Sequence, residues 1–341
     1  GLLEDALVRI AGIQGTSQID LTKRALVIMC ADNGVVEEGV TQTGQDVTAV
    51  VTRNFTAGDS CVCLMADRAN VDVFPVDIGV ADSLEDCHEV HPLIRKKVRS
   101  GTRNFVKEPA MTREEVQKAL QVGMGLVKEL KEQDYHLIAL GEMGIGNTTT
   151  SSAVACAILG LEPERMTGRG AGLSDAGLEK KKRAVSKAVG RFYGTYPQYQ
   201  GGTKEDYENG AISAVTVLSE LGGFDLAGMT GLFLGGAAAG LPVLMDGFLS
   251  TVSALLAVLI RREAKDYLFA SHISREPAGK AVLEMLGLPA PLHLGMHLGE
   301  GSGAVAMIPL LKMGARVYEE MSTFSDISVE QYVDYEKEVR T

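Results

Sequence analysis

Apolar positions along the chain fall into two kinds of run, and their alternation predicts the architecture. Leu2, Leu3, Leu7, Ile10 and Ile13 recur at helical spacing, and Gly12 and Gly15 bring that helix to a close. Ala25 to Ala31 is instead apolar at every position and runs straight into Asp32-Asn33-Gly34. Such a run suits a parallel strand covered on both faces. Helical patterns resume from Asp46 to Phe55, capped near Gln45 or Asp46, and from Cys61 to Ala69, ahead of a second strand over Val71 to Val80. Thr112-Arg113-Glu114-Glu115 is a capping-box pattern opening an amphipathic helix that reaches Glu132. His136 to Leu140 reads as a buried strand and Ser151 to Leu159 as a helix. Pro242 to Met245 and Asp266 to His272 repeat the pattern of an apolar strand ending in polar residues.

Strands that end in polar groups and turn into helices predict an α/β fold with three α/β/α layers and a mostly parallel, Rossmann-like sheet, with smaller helical elements added. Ligands of such sheets sit at the carboxyl ends of the strands, where Asp32 and Asn33 stand. Residues 1–321 are expected to form a single large domain, with a smaller helical part drawn from the terminal segments. Residues 322–341 read as a peripheral charged tail. The polar stretch from Tyr193 to Gly210 reads as a hinge or an insertion.

Two glycine-rich stretches carry the candidate chemistry. In the first, Leu140-Gly141-Glu142-Met143-Gly144-Ile145-Gly146-Asn147-Thr148-Thr149-Thr150 links a buried strand to a helix. Its glycines let the backbone approach a ligand closely, Asn147 and the threonines can cap the helix, and the free N–H groups at the helix start suit an anion such as phosphate. Three loosely spaced glycines also fit an ordinary strand-to-helix turn. Glu142 favours the ligand reading, because a carboxylate in a phosphate loop suits recognition of a hydroxyl rather than packing. In the second, His297-Leu298-Gly299-Glu300-Gly301-Ser302-Gly303 sets one glutamate between glycines ahead of a small-residue helix. Glu300 reads either as a solvated loop residue or as a base whose surroundings raise its pKa.

With 341 residues, 45% hydrophobic and 39 of them glycine, the chain can bury a large core. A net charge of −11 excludes a nucleic-acid groove, so an anionic small substrate needs a local positive spot. The turn from Gly168 to Asp175 and the basic residues Lys180, Lys181, Lys182 and Arg183 supply one, with a single lysine reaching phosphate and the others at the surface. A second basic cluster, Arg95 to Arg99 with His88 and His91 nearby, reads as an anion contact or a solvated face. The cysteines Cys30, Cys61, Cys63, Cys87 and Cys156 make no zinc-type pair and point to reduced thiols in a cytosol. No secretory pattern is visible at the start, and Leu241 to Ile260 is interrupted by Pro242, Asp246 and Gly247, so it reads as buried core rather than a membrane span. A cytoplasmic protein is expected. Neither the GxxxxGK[ST] spacing of nucleoside triphosphatases nor a GxGxxG after the first strand is present.

Five blocks, Cys30-Ala31-Asp32-Asn33-Gly34-Val35-Val36-Glu37-Glu38-Gly39, Gly141 to Thr149, Gly222-Gly223-Phe224-Asp225-Leu226, Leu241 to Ser250 and Leu298 to Gly303, together resemble the nicotinate-nucleotide dimethylbenzimidazole phosphoribosyltransferase family. The resemblance runs to about Met321. It implies transfer of 5-phosphoribose from nicotinate mononucleotide to an aromatic base, giving the lower ligand of a cobamide. Nicotinate leaves from a cationic pyridinium nitrogen and needs no general acid. Pyrophosphate is not involved, so no Mg²⁺ clamp and no cofactor are expected. One base remains to be found, and the resemblance assigns it to Glu300. It also implies that Glu142, Met143, Gly144, Ile145, Gly146, Asn147 and Thr148 hold ribose and phosphate. Gly170, Ala171, Gly172, Leu173 and Lys181 should add phosphate contacts, with Leu298 and Gly299 flanking the base.

For the acceptor, Thr43 and Val51 fall where benzimidazole-using relatives carry a serine and a glutamine, and Met143 falls where they carry leucine. Val51 cannot donate a hydrogen bond to an imidazole nitrogen, so phenol or p-cresol stands beside dimethylbenzimidazole as a candidate. The resemblance implies a dimer, either of identical chains or with a paralogous partner. Two alternatives stay open: a subunit inactive by itself, and a noncatalytic mononucleotide-binding protein.

Overall fold

The computed structural model describes residues 1–331, and the tail expected over 322–341 lies partly outside the described residues. Ser322 to Gln331 are exposed. The strands are β1 (Arg24–Ala31), β2 (Asp72–Gly79), β3 (Ile94–Arg95), β4 (Leu137–Met143), β5 (Val243–Met245) and β6 (Leu268–Ala270). The helices before β4 are α1 (Leu2–Gln14), α2 (Asp46–Ala57), α3 (Cys61–Ala69) and α4 (Arg113–Glu132). Between β4 and β5 come α5 (Asn147–Leu159), α6 (Pro163–Met166), α7 (Asp175–Thr195), α8 (Lys204–Glu208), α9 (Ala214–Leu221) and α10 (Phe224–Ala239). The last are α11 (Phe248–Ile260), α12 (Pro277–Leu286) and α13 (Ser302–Glu320).

All pairings in the six-stranded sheet are parallel, in the order β3-β2-β1-β4-β5-β6. The chain starts at the centre, winds outward to β3, and then crosses to β4. The carboxyl ends of β1 and β4 therefore diverge into opposite halves of the fold, and the crevice between them is where a doubly wound sheet receives its ligand. Register brings Met29 beside Glu142 and Cys30 beside Met143.

Strand side chains alternate between two cores, as the period of two requires. Ala25, Val27 and Met29 of β1 and Ile138 and Leu140 of β4 join the core under α4, α5, α7, α9, α10 and α11. Leu26, Ile28 and Cys30, with Leu137 and Ala139, face the core under α1, α2, α3 and α13. This is the expected three-layer arrangement. The glycines of α10 let it approach α4 to backbone contact, with Gly231 against the carbonyl of Leu120.

Several expectations change in detail. Gly146, not Asn147 or a threonine, occupies the N-cap of α5, and no side chain caps it, because Asn147 turns to Glu142 instead. Gln45 stands at the N-cap of α2, but its amide donates to the carbonyl of Asn33 rather than capping. The stretch read as a hinge or insertion is packed: α7 continues into it to Thr195, and Phe192, Tyr196, Tyr199 and Tyr207 form a chain of ring contacts. Leu241 to Ile260 divides into β5 and the buried helix α11. Among the described residues no helix is long and apolar enough to cross a membrane.

Candidate active site

A cavity of about 290 Å³ opens at the carboxyl end of the sheet and gathers residues from both halves of the chain. Gly141 to Met143 reach it from β4, Asn147 and Thr148 from the start of α5, Asp246 to Ser250 from the turn between β5 and α11, and His297 to Glu300 from the loop before α13. The two glycine-rich stretches thus share one cavity, although Glu142 and Glu300 are 158 positions apart in the chain.

Glu300 is held there by an unusual piece of backbone. Gly299, Glu300 and Gly301 all have left-handed φ values, 86°, 62° and 96°. Glycine adopts that region freely, whereas a glutamate in it is strained, so tertiary contacts must impose it. They come from two sides. The carbonyl of Glu300 lies against the α-carbon of Gly141, where any side chain would collide with it. Asp246 binds the other side, accepting the N–H groups of Gly301 at 3.2 Å, Gly303 at 2.7 Å and Ala304 at 3.3 Å. One carboxylate therefore serves as the missing side-chain cap of α13 and as the anchor of the Glu300 turn.

The Glu300 carboxyl has a buried oxygen, Oε2, with no hydrogen-bond partner. Burial and then the charge of Asp246 push its pKa above the ordinary carboxylate range, against the opposing N–H of Val62. Glu142 faces the same space, its Oε1 2.7 Å from where a side chain on Gly299 would begin. Burial, then the charges of Asp225 and Asp246, push the Glu142 carboxyl up to about 8, and the Asn147 amide that binds its Oε2 offsets only part of this. At neutral pH Glu142 is mostly protonated and can donate a hydrogen bond, while Glu300 keeps a free acceptor. Two carboxyls in one cavity thus have separated roles.

Asp225, fully buried at the start of α10, carries the glycine loop from below. Its carboxyl is raised to about 6 by burial, against the N–H of Leu226 and the amides of Asn33 and Asn147. Asn33, at the end of β1, also accepts from the Thr150 hydroxyl at 3.1 Å. The switch point between β1 and β4 is therefore tied together by a buried polar network.

The positive spot is a single lysine. Lys181, 1% exposed in α7, donates to the Thr148 hydroxyl at 2.8 Å. Burial lowers its pKa to about 8, and the nearby charge of Glu276 limits the fall. Gly170, with φ of 54°, packs its α-carbon against this pair and donates its N–H to Glu276 Oε1 at 2.9 Å.

Of the residues singled out from sequence, Glu142, Met143, Gly144, Ile145, Asn147, Thr148, Gly170, Ala171, Val51, Leu298, Gly299 and Glu300 line this cavity. Lys181 lies behind the wall, hydrogen-bonded to Thr148. Gly146 stands behind the lining, its α-carbon facing Val35 and Val36. Gly172 borders an adjoining groove, Leu173 is packed inside, and Thr43 is exposed and outside the lining. Of the basic neighbours of Lys181, Lys180 and Arg183 are exposed and Lys182 pairs with Glu179; in the second basic cluster Lys97 pairs with Asp77, Arg99 with Glu115 and Lys96 with Glu129.

Sequence reasoning missed Asp225, Glu276 and Met229, and saw Asp246 and His272 only as polar strand ends. His272 is buried, its Nδ1 3.0 Å from the Ser271 hydroxyl, and burial lowers its pKa against the opposing charge of Asp246. Among the described residues no group of His, Cys, Asp and Glu is arranged to hold a metal ion.

Fold and site together define a class: a doubly wound α/β enzyme whose switch-point cavity joins a glycine-rich strand-to-helix loop to a glutamate with one free, buried oxygen. Residues 1–329 match the family described as phosphoribosyltransferase, and the chain belongs to the nicotinate-nucleotide–dimethylbenzimidazole phosphoribosyltransferase family. The protein of that name from Acetivibrio thermocellus is 43% identical over 332 residues, covering 97% of this chain and 89% of the relative. The one from Ruminiclostridium cellulolyticum is 42% identical over the same shares. The crystal structure of CobT from Thermus thermophilus superimposes with a TM-score of 0.87 at 39% identity, covering 97% of this chain and 94% of that one.

Proposed function

We propose that this chain moves 5-phosphoribose from nicotinate mononucleotide to an aromatic base, giving an α-riboside 5′-phosphate for cobamide synthesis, and that it works as a cytoplasmic dimer. The observation that carries the reaction is the buried, unpartnered Oε2 of Glu300 in the same cavity as the glycine loop. Binding an anion gains nothing from such a group. A reaction that must remove one proton does.

In the proposed step the C1′–N bond to the pyridinium ring breaks, and its electron pair neutralises the ring nitrogen as nicotinate leaves. A nitrogen or oxygen lone pair of the acceptor forms the new bond to C1′ from the opposite face. The acceptor then carries a surplus proton, and Glu300 takes it. Protonated Glu142 donates to a ribose hydroxyl, and Thr148, Gly170 and Lys181 hold the 5′-phosphate. The cationic pyridinium of the donor is itself favoured beside the ionised Glu300.

For the acceptor, Val51 and Met143 present apolar surface and no hydrogen-bond donor. A flat, weakly polar ring fits, whether dimethylbenzimidazole or p-cresol, because Glu300 serves the proton of either. Purified chain incubated with nicotinate mononucleotide and each acceptor should release nicotinate and ribosylated product in equal amounts. Competition between the two acceptors for limiting enzyme ranks them. Failure to form product from any aromatic acceptor with the chain alone overturns the reading that it is a complete catalyst.

A further inference from the structure

We propose that the Glu276 carboxylate is a placeholder in the phosphate subsite: it occupies the Gly170 N–H when no nucleotide is bound, and the substrate phosphate displaces it. The inference rests on the reading above that Thr148, Gly170 and Lys181 hold the 5′-phosphate, and goes beyond it by assigning Glu276 control of that subsite.

The geometry is specific. Glu276 is the residue just before α12, and its Oε1 accepts the Gly170 N–H at 2.9 Å. Its other oxygen, Oε2, is shut away from solvent with no partner at all. The α-carbon of Gly168 abuts that oxygen, so the 168–170 turn is wrapped directly around the carboxylate. A side chain starting at Gly170 would lie 2.7 Å from the Thr148 hydroxyl and 3.3 Å from Lys181 Nζ, so the α-carbon of the turn packs on that pair while its N–H is held by Glu276. Thr148, Gly170 and Glu276 all line one cavity, with Lys181 behind Thr148, and a carboxylate already sits on the backbone donor.

Glu276 is half-buried and lines the cavity, and leaving its one buried oxygen without a partner is a costly arrangement for stability alone. It makes sense where an anion is exchanged for another of the same sign. The phosphate monoester offers three oxygens and more charge to the same donors, so it outcompetes one carboxylate oxygen. The displaced Glu276 must swing out, and because it begins α12, its release loosens the 168–173 turn from α12. Inside the site the two anions repel each other, so Glu276 lowers affinity for any phosphate that binds without completing the exchange.

The test uses the full chain. Titration calorimetry with inorganic phosphate, and separately with nicotinate mononucleotide, compares wild type with E276Q, whose amide oxygen can still accept from Gly170 but carries no charge. The expected result is tighter binding of both ligands in E276Q, by roughly threefold or more. Equal or weaker binding overturns the proposal. A structure of the wild type with nicotinate mononucleotide gives an answer independent of any variant: Glu276 Oε1 should leave Gly170 N, and a retained bond overturns it. Turnover by the wild type with an aromatic acceptor tests the phosphoribosyl-transfer reading separately, so the failure of one is distinguishable from the failure of the other.

Discussion

Asp246 accepts the backbone N–H of Gly303 at 2.7 Å, and through this bond and its two neighbours a residue at the end of β5 fixes the conformation of Glu300. The side chain that caps the helix is therefore also the one that positions the proposed base. Asp246→Ala removes an acceptor shared by three buried donors. It should lower unfolding free energy by about 2 kcal/mol or more and also reduce kcat, since the Glu300 turn loses its anchor. Urea unfolding together with steady-state rates checks this. Intact stability with intact turnover would show that the turn holds itself.

Glu300→Gln keeps the shape of the cavity and removes the proton acceptor. Turnover should fall roughly a hundredfold or more, with nucleotide binding retained. The ionised form is the working one, so wild-type kcat must decline as pH drops through the Glu300 pKa. That decline should lie above the ordinary carboxylate range, because burial and Asp246 raise the pKa. The acid limb should vanish in the variant. A pH–rate profile unaltered in shape by the substitution counts against the assignment.

Glu142 links the site to stability. Its carboxyl is raised from 4.5 to about 8, so the folded state holds that proton more tightly than the unfolded chain does. The sign follows: between these values stability is lost as pH rises, and below 4.5 there is no penalty. Glu142→Gln abolishes the titration. Relative to wild type it should gain stability between pH 6 and pH 9, on the order of a few kcal/mol at the upper end. Denaturant melts at those two pH values measure it, and an equal gap at both would show that Glu142 is not protonated in the fold.

Lys181 carries its charge in a buried setting that has lowered its pKa to about 8. Lys181→Met should raise the Kd for nicotinate mononucleotide by about tenfold or more, the usual loss for a charge-assisted contact. In the wild type the same affinity should weaken as pH rises above about 8, where the free enzyme's lysine begins to lose its proton. Calorimetric titrations at pH 7 and pH 9 distinguish this from a structural role, which would show no such slope.

Much of the molecule was legible as sequence. Continuous apolar runs at Ala25 to Ala31 and His136 to Leu140 are what a strand buried on both faces requires, and the polar residues that follow mark its ligand-facing end. The glycines around Glu142 and Glu300 were legible for the same local reason, since backbone that bends sharply or takes positive φ leaves few other choices.

Pairing across the chain was beyond it. That Asp246 would bind the N–H groups of Gly301 and Gly303 and that Glu276 would reach Gly170 depend on where strands and helices end in space; the basic run by itself left its one buried lysine open, and only the family resemblance pointed to Lys181. Local pattern fixed which residues can be strand, helix or turn, because those preferences act over a few neighbours. The strand order alone decided which ends meet, and with it the protonation of Glu142 and the poise of Glu300, because burial and the charge of distant carboxylates exist only once the sheet has closed.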